Sequence, residues 1–404
     1  SELANGAVLV SQTNPGGGVM AIHLAVRGRS MLDRANAEAG ALDLVHRLLE
    51  EGYAGCDAAC LARELRRLGA VVKKVDDGRI PMDDYYTNGR FSFVRVECPA
   101  ESGAEMLELL AEMAQFSTCT RDDLDRVRAD PMQLLQRRAG SAGAASRQLL
   151  REGLYGDHPL ALPAEGTVAS IEAVSYDDLR SLYRKAFSPE NLIIAVVSPF
   201  SHGELQDMLP SLAGGGQPAE GLPRLPETTA PERLTSSVGS PMGAVRMGSI
   251  RGVDPADRAA LELLVAVLSD RLQMDLRETR GLSYRVGAGV GVHGDQAVFT
   301  ATINPPVARL AEGEEALAAS LRDFDAGSIT QDELDTARSA RQGRLLMRRL
   351  DSISRAYYLA MAELDGDVFG YLDQISAYDA VTLADLQRAA AFFSELPLVT
   401  VVVD

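Results

Sequence analysis

Four polar side chains share one face of a helical segment near the start of the chain. In GALDLVHRLLEEG (residues 40–52), Asp43, His46, Arg47 and Glu50 follow the spacing i, i+3, i+4, i+7. A histidine and two carboxylates on one helical face would suit a divalent metal. Arg47 argues against that use, because a fixed cation repels the metal and because Asp43 and Arg47 at i,i+4 form a good helical ion pair. We therefore interpret this face as structural.

Few other groups are suited to metal or nucleophilic chemistry. The chain has 404 residues but only 5 histidines and 4 cysteines, with no HxH, HxxxH or CxxC pattern. Cys56 and Cys60 stand at i,i+4 in a helical stretch; small apolar packing is the first interpretation, and a redox or metal pair is the alternative. No GxSxG, phosphate-loop or dinucleotide-binding fingerprint has a suitable context. Structural or surface roles are expected for the remaining histidines, His23, His158, His202 and His293.

The overall composition excludes several classes of protein. The net charge is 40 − 57 = −17, which argues against nucleic acid or an anionic membrane as the main partner. Apolar residues make up 46% and charged residues 24%, the usual mixture of a globular protein. No apolar run approaches the ~18 residues that a membrane span requires.

Two pairs of similar segments indicate an internal duplication. TRDDLDRVR begins at Thr120 and TQDELDTAR begins at Thr330, 210 residues later. VSYDDLRSLYRKAFSPENLIIAVV begins at Val174, and VTLADLQRAAAFFSELPLVTVVV begins 207 residues later, at Val381. Each member of the second pair predicts a Ser or Thr N-cap, an amphipathic helix, a turn and a buried strand. We expect an N-terminal domain over 1–205, a Gly- and Pro-rich linker over 206–234 and a C-terminal domain over 235–404.

The order of predicted elements favours the α+β class. Each half is expected to form a mostly antiparallel sheet that helices cover on one face. Antiparallel pairs are expected between strands 70–75 and 90–97, and between strands 284–292 and 296–303. In the first half we predict further strands near 6–11, 18–27 and 191–198, and helices near 38–51, 57–69, 101–116, 120–137, 143–153 and 175–186.

The segment from Leu154 to Leu192 carries a family resemblance. Its order LYGDHP, GT, SI, DL, Y and SPEN resembles the pitrilysin/insulinase-type zinc peptidases, especially the half-size bacterial and mitochondrial-processing-peptidase-like subunits. The second half adds LRETRGLSY, in which Arg277 and Tyr284 are similar to the family's Arg-x6-Tyr segment. The resemblance implies one half of a peptidase clam, with both domains lining a chamber.

The resemblance also implies a zinc motif that this chain lacks. The family carries HxxEH on its first long helix and a further Glu ligand later in the chain. Here Asp43 and Arg47 stand at the two histidine positions, His46 stands at the glutamate position, and the later ligand falls near Leu134. We therefore expect no metal ligand and no catalytic residue in this chain.

The implied function is that of a non-catalytic subunit in a heterodimeric zinc peptidase. A homologous partner that carries HxxEH would hold the zinc, while Arg277 and Tyr284 would contact the carbonyl of a peptide substrate. A homodimer of the isolated chain is compatible with the resemblance, and the compartment is left open between bacterial periplasm and cytoplasm. The alternative is a scaffold or peptide-binding protein with no role in proteolysis. An independent hydrolase is disfavoured because no nucleophile–base pair is found.

Overall fold

The computed structural model describes residues 1–36, 39–77, 79–80, 87–114, 119–209 and 218–404. Residues 210–217 of the predicted linker therefore lie outside the described part of the chain. The strands are β1 Val8–Thr13, β2 Val19–Arg27, β3 Gly52–Tyr53, β4 Cys56–Asp57, β5 Val71–Lys73, β6 Phe91–Pro99, β7 Leu192–Ser198, β8 Glu232–Ser236, β9 Ala244–Gly252, β10 Val286–His293, β11 Gln296–Ile303 and β12 Val399–Val403.

The helices predicted in the first half have counterparts at similar positions, whereas the shorter helices Arg29–Asn36, Val168–Ala173 and His202–Met208 were not predicted. A π-helical segment, Gln273–Thr279, continues directly from α10. The helices are α1 Arg29–Asn36, α2 Ala41–Leu48, α3 Ala58–Arg67, α4 Gly103–Ala114, α5 Arg121–Arg138, α6 Ala142–Tyr155, α7 Val168–Ala173, α8 Tyr176–Ala186, α9 His202–Met208, α10 Arg258–Leu272, α11 Leu310–Arg322, α12 Gln331–Arg348, α13 Ser352–Leu364, α14 Gly370–Asp379 and α15 Leu383–Ala389.

The two large sheets have the same connectivity. The first has the order β1-β7-β2-β6-β5, and the second has the order β8-β12-β9-β11-β10. In each sheet the first strand along the chain pairs parallel with the last, and the other pairings are antiparallel. The duplicated segments also have equivalent local structure, because Ser175 caps α8 before β7 and Thr382 caps α15 before β12.

The compact units do not follow chain order. One unit comprises Ser1–Gln136, Leu162–Leu222 and Arg348–Tyr371. The other comprises Arg137–Ala161, Pro223–Met347 and Leu372–Asp404. Each half of the sequence therefore contributes one helical segment to the unit built mainly from the other half. The second unit also takes in the end of the predicted linker, where Leu225 is buried and β8 joins the sheet.

In the first unit, both faces of the sheet are covered. Alternate residues of β2, such as Ile22 and Leu24, pack against α2, α4 and α8. On the opposite face, Phe93 and Ile193 pack against α13, which comes from the second half of the sequence. This helix explains why β2 is buried along almost its whole length rather than on alternate residues.

The second unit has the equivalent arrangement. One face of its sheet packs against α10, α11 and α15, and the other face packs against α6 from the first half. Two glycines allow this second contact. A Cβ on Gly153 would lie 2.7 Å from Val399 Cγ1, and a Cβ on Gly248 would lie 3.0 Å from Leu154 Cδ1. The backbone of α6 therefore approaches the sheet more closely than a larger residue would permit.

The α+β class and the antiparallel-rich sheets covered by helices are confirmed. The additional finding is that each sheet carries one helix on the face that was expected to be open. Within the described ranges, no helix combines the length and apolar character required to cross a membrane.

Candidate functional site

Arg277 lies where α10 gives way to the π-helical segment. Leu276 beside it is fully buried, while the side chain of Arg277 is 36% exposed. A π-helical segment widens the helix by one residue per turn, and such segments are frequent at functional sites. The local geometry therefore fixes the backbone through Leu276 and leaves the neighbouring guanidinium accessible.

The loop that follows is held by several hydrogen bonds. The amide of Leu282 donates to the carbonyl of Leu276 at 2.8 Å, and Arg309 Nη1 donates to the carbonyl of Gly281 at 3.0 Å. The buried hydroxyl of Ser283 donates to the carbonyl of Asn304 at 2.7 Å. Gly281 has φ +56°, which a glycine adopts without strain. Tyr284 therefore follows a constrained backbone although it lies outside regular structure.

The Arg277 guanidinium stacks on the ring of Tyr284. The guanidinium carbon lies 4.4 Å from the ring centroid, within the range of a cation–π interaction. Nε of Arg277 also contacts Glu278 Oε1 at 3.1 Å. Tyr284 is 79% exposed, so one face of the pair is open to solvent. The structure thus brings together the two residues that the sequence singled out.

The pair retains free hydrogen-bond donors. No described residue accepts a hydrogen bond from the Tyr284 hydroxyl or from the terminal nitrogens of Arg277. Guanidinium and phenol groups together donate well to a carbonyl oxygen or an oxyanion. The arrangement therefore offers a positively charged, two-residue donor site on the surface of the second unit.

The polar face of α2 is occupied by ion pairs. Arg47 Nε contacts Asp43 Oδ2 at 2.7 Å, as the i,i+4 spacing predicted, and Arg29 Nη2 lies 3.8 Å from Asp43 Oδ1. Nearby Lys74 is 7% exposed and pairs with Glu50. Three cations thus surround the carboxylates that a metal ion would need.

His46 was expected on the polar face with these residues, and that expectation is wrong. Its side chain points into the core, where Nε2 lies 2.7 Å from Ser92 Oγ and the ring packs against Phe187. Burial, with the charges of Arg29 and Lys74, lowers the pKa of His46 to about 3. The helix therefore presents its imidazole to the sheet rather than to the ion pairs.

The residues at this position do not fit a zinc ion. Asp43 is engaged by Arg47, the His46 ring is turned into the core, and Leu134 offers no donor. Within the described ranges, no three histidine, cysteine or carboxylate side chains are grouped so as to hold a metal. No chemical step in this chain is therefore assigned to a metal.

Cys56 and Cys60 form a disulfide, so the first interpretation, plain apolar packing, is wrong. Cys56 lies in β4 rather than in a helix, and Cys60 lies in the first turn of α3, where its amide donates to the cap residue Asp57 at 2.8 Å. The bend between strand and helix brings the two sulfur atoms together. A helical i,i+4 pattern alone did not reveal this bend.

The other histidines occupy structural positions. His23 is fully buried between the ring of Phe93, at 5.9 Å, and the ring of Tyr357 on α13, at 5.3 Å. Burial, with the charge of Arg95, lowers the pKa of His23 to about 3. The rest lie in polar contacts or at a strand end: His158 near the carbonyl of Pro223, His202 between Ser1 and Ser11, and His293 at the end of β10.

A cavity that the sequence did not indicate lies in the second unit, beside the start of the π-helical segment. Its volume is about 310 Å³, and α10, β10 and α12 line it. Ser269 and Asp270 supply polar groups from α10, Gln273 supplies one from the start of the π-helical segment, and Arg341 and Arg344 supply them from α12. Burial raises the pKa of Asp270, and Arg344 opposes this rise. Because the lining comes from separate elements, no sequence motif marks the cavity.

Comparison with known proteins identifies relatives of this chain. Residues 173–341 match a family model described as the peptidase M16 inactive domain. An uncharacterized zinc protease of Mycobacterium leprae is 24% identical over 297 residues, covering 70% of this chain and 66% of that protein. One of Mycobacterium tuberculosis is 25% identical over 274 residues, covering 64% and 62%. The match thus spans slightly less than two thirds of each relative. A Helicobacter pylori protein named a non-peptidase homolog is 25% identical over 175 residues, covering 43% and 38%.

Solved structures share the fold over the whole chain. A peptidase M16 inactive domain from Pseudomonas fluorescens has a TM-score of 0.82 at 21% identity, covering 99% of this chain and 96% of that one. A protease from Helicobacter pylori has a TM-score of 0.85 at 18% identity, covering 100% and 98%. The periplasmic protease PqqL from Escherichia coli has a TM-score of 0.76 at 15% identity, covering 99% of this chain but 44% of its own length. The resemblance to the pitrilysin/insulinase-type family is confirmed.

Proposed function

We propose that this homologue of the M16 zinc proteases is the non-catalytic subunit of a heterodimeric peptidase. Its partner would be a homologous chain that carries HxxEH and the zinc ion. The observation that supports this proposal most strongly is the Arg277–Tyr284 pair, which presents free donors on a constrained loop. The ion pairs on α2 support the assignment of the zinc to the partner.

In this proposal Arg277 and Tyr284 bind the carbonyl of the scissile peptide. The terminal nitrogens of Arg277 supply a permanent positive charge, and the Tyr284 hydroxyl supplies a second donor. Both interactions strengthen as negative charge develops on the oxygen, which is the condition for lowering the barrier rather than only tightening substrate binding. Stacking of the two groups holds them in position before substrate arrives, so less ordering is required at the moment of reaction.

The heterodimer has a direct test. The chain, its candidate partner and the mixture are purified, and zinc content and cleavage of an unfolded peptide are measured for each. We expect zinc on the partner and cleavage by the mixture far above that of either chain alone. Stoichiometric zinc and hydrolysis by this chain alone would contradict the proposal. A complex that forms but cleaves no better than the partner alone would support the scaffold alternative instead.

The compartment that fits the Cys56–Cys60 pair is an oxidising one. Disulfides persist in the bacterial periplasm and are reduced in most cytosols, so we propose the periplasm over the cytoplasm. Alkylation of thiols in freshly lysed cells, followed by mass spectrometry, tests this choice. The peptide that contains both cysteines should be oxidised, and complete alkylation of both would contradict a periplasmic location.

A further inference from the structure

Three arginines of the second unit come from neighbouring segments of its structure. Arg246 Nε donates to Ser146 Oγ at 3.0 Å, next to Arg147 in the chain, and the amide of Asn304, whose side chain approaches Gly143, donates to the carbonyl of Arg285 at 3.1 Å. Arg246 lies on β9, Arg147 on α6, and Arg285 immediately before β10. Burial, together with the nearby charges of Arg147 and Arg285, lowers the pKa of Arg246 to about 10. Among the described residues, no ion pair joins any of these three guanidinium groups to an Asp or Glu. This local excess of positive charge contrasts with the net charge of −17.

Arg246, the partly buried member of the cluster, has hydrogen-bond donors that are not used within the described ranges. Nε of Arg246 donates to the hydroxyl of Ser146 at 3.0 Å, which fixes the side chain beneath α6. Its terminal nitrogens bond to no residue in the described ranges. An anion placed among three guanidinium groups is attracted by all of them and can accept hydrogen bonds from their unused N–H groups. The arrangement therefore suits a bound anion.

The beginning of α6 adds to the positive potential. Ser141 caps this 14-residue helix, so the positive end of its dipole lies at its first turn. Arg147 Nη1 and Asn304 Nδ2 lie 3.9 and 4.0 Å from the point where a Cβ on Gly143 would stand. The guanidinium of Arg147, the amide of Asn304 (which also donates to the carbonyl of Gly243 at 3.3 Å) and the helix terminus thus lie near one another beside Gly143.

One member of the cluster, Arg285, is next to the Arg277–Tyr284 pair in the sequence. Arg285 directly follows Tyr284, and the hydroxyl of Ser283 accepts from the amide of Arg285 at 3.1 Å. The same hydroxyl donates to the carbonyl of Asn304 at 2.7 Å. One constrained loop therefore carries both Tyr284 and a member of the arginine cluster.

We propose that Arg147, Arg246 and Arg285 form a subsite for a carboxylate of the bound peptide, either its C-terminus or an acidic side chain. Guanidinium groups bind carboxylates in a bidentate manner that an ammonium group does not reproduce. This inference rests on the proposed function in one respect, namely that the ligand is a peptide. The net charge of −17 by itself would favour basic peptides, so a preference for a carboxylate would be a local property of this site.

The test measures binding by the full chain alone, so its outcome does not depend on a partner. A labelled peptide is prepared as a free acid, as a C-terminal amide, and with one acidic side chain either present or replaced by its amide. Binding is followed by fluorescence anisotropy. We expect at least one carboxylate form to bind about tenfold more tightly than its matched amide, and the preference to fall with added salt.

Three variants test whether the arginine cluster causes the preference for carboxylate peptides. Arg147→Gln and Arg285→Gln remove exposed members of the cluster, so neither should prevent folding, and each should lose most of the carboxylate preference. Arg322→Gln removes an exposed arginine elsewhere in the same unit and should retain it. The proposal would be overturned if the acid and amide forms bound equally, both at the C-terminus and at the side chain. It would also be overturned if both cluster variants kept the full preference for carboxylate. Protection from heat by inorganic phosphate, without any carboxylate preference, would mean that the site takes a free anion and would also overturn it.

Discussion

The guanidinium carbon of Arg277 lies 4.4 Å from the centre of the Tyr284 ring, although six residues separate them in the sequence. The π-helical segment turns one side chain outward, and hydrogen bonds at Leu282 and Ser283 fix the position of the other. The contact requires both features. An arginine and an exposed tyrosine on a mobile loop would spend little time in this geometry, because ordering them costs conformational entropy.

The Cys56–Cys60 disulfide predicts how many cysteines of the denatured chain react with a thiol reagent. Without reductant, the denatured chain should react at two cysteines, Cys98 and Cys119, and with reductant at four. Cys60→Ser should raise the first number to three. By loop-closure entropy alone, loss of this short cross-link should destabilise the fold by about 2 kcal/mol. Four reactive thiols in unreduced, denatured chain would show that the pair does not form.

Buried His23 predicts acid sensitivity. Its pKa in the folded chain is about 3, below the unfolded value of 6.5, so its contribution to stability is present above pH 6.5 and is lost as the pH falls toward 3. Between pH 6.5 and pH 5 this amounts to roughly 2 kcal/mol from one histidine. We therefore expect His23→Phe to reduce the pH dependence of the free energy of unfolding, measured by urea titration at several pH values.

Other groups do not obscure that comparison. His46 acts in the same direction, and Asp33, whose pKa burial raises to about 6, acts in the opposite direction because its folded form holds a proton that the unfolded form releases. Both groups are present in the wild type and in the variant. Their contributions therefore cancel when the free energies of unfolding of the two proteins are subtracted at each pH. Any packing change from the larger ring shifts stability by a constant amount. Parallel curves for the two proteins would contradict the burial of a neutral His23.

Because α6 lies close to the second sheet, replacing two different glycines by alanine should have unequal effects on the free energy of unfolding. Gly153→Ala places a methyl group 2.7 Å from Val399 and 2.9 Å from Leu234, so the helix or the sheet must shift. We expect a loss of about 1–3 kcal/mol. Gly343→Ala, in the interior of α12, meets nothing within 4 Å and should stabilise by up to about 1 kcal/mol. Thermal unfolding of both variants checks the contrast, and equal effects would argue against α6 lying on this sheet.

The sequence predicted features that depend on neighbouring residues. The caps at Ser175 and Thr382, the Asp43–Arg47 pair and the hairpin of β10 and β11 all follow from local spacing, and all are present. The family resemblance supplied Arg277 and Tyr284, whose contact depends on a loop that sequence periodicity does not describe. These successes concern interactions that a short stretch of chain determines.

Features that depend on distant segments were not predicted. The covering of the first sheet by α13 joins residues more than three hundred positions apart, such as Arg27 and Glu363, and no local pattern indicates such a contact. The inward position of His46 depends on Ser92 across the core. The arginine cluster draws one member each from α6, β9 and the loop before β10, so it emerges only when the second unit has folded.

The most direct test of the central claim is the kcat/KM of the reconstituted heterodimer. Tyr284→Phe keeps the ring and removes only the hydroxyl, while Arg277→Lys keeps the charge and removes the guanidinium plane. Each variant should lower kcat/KM about a hundredfold with the complex intact, as the loss of an oxyanion donor does, whereas Arg322→Gln should not. Complexes of either variant that form normally and cleave peptide at the wild-type kcat/KM would contradict the role of this pair.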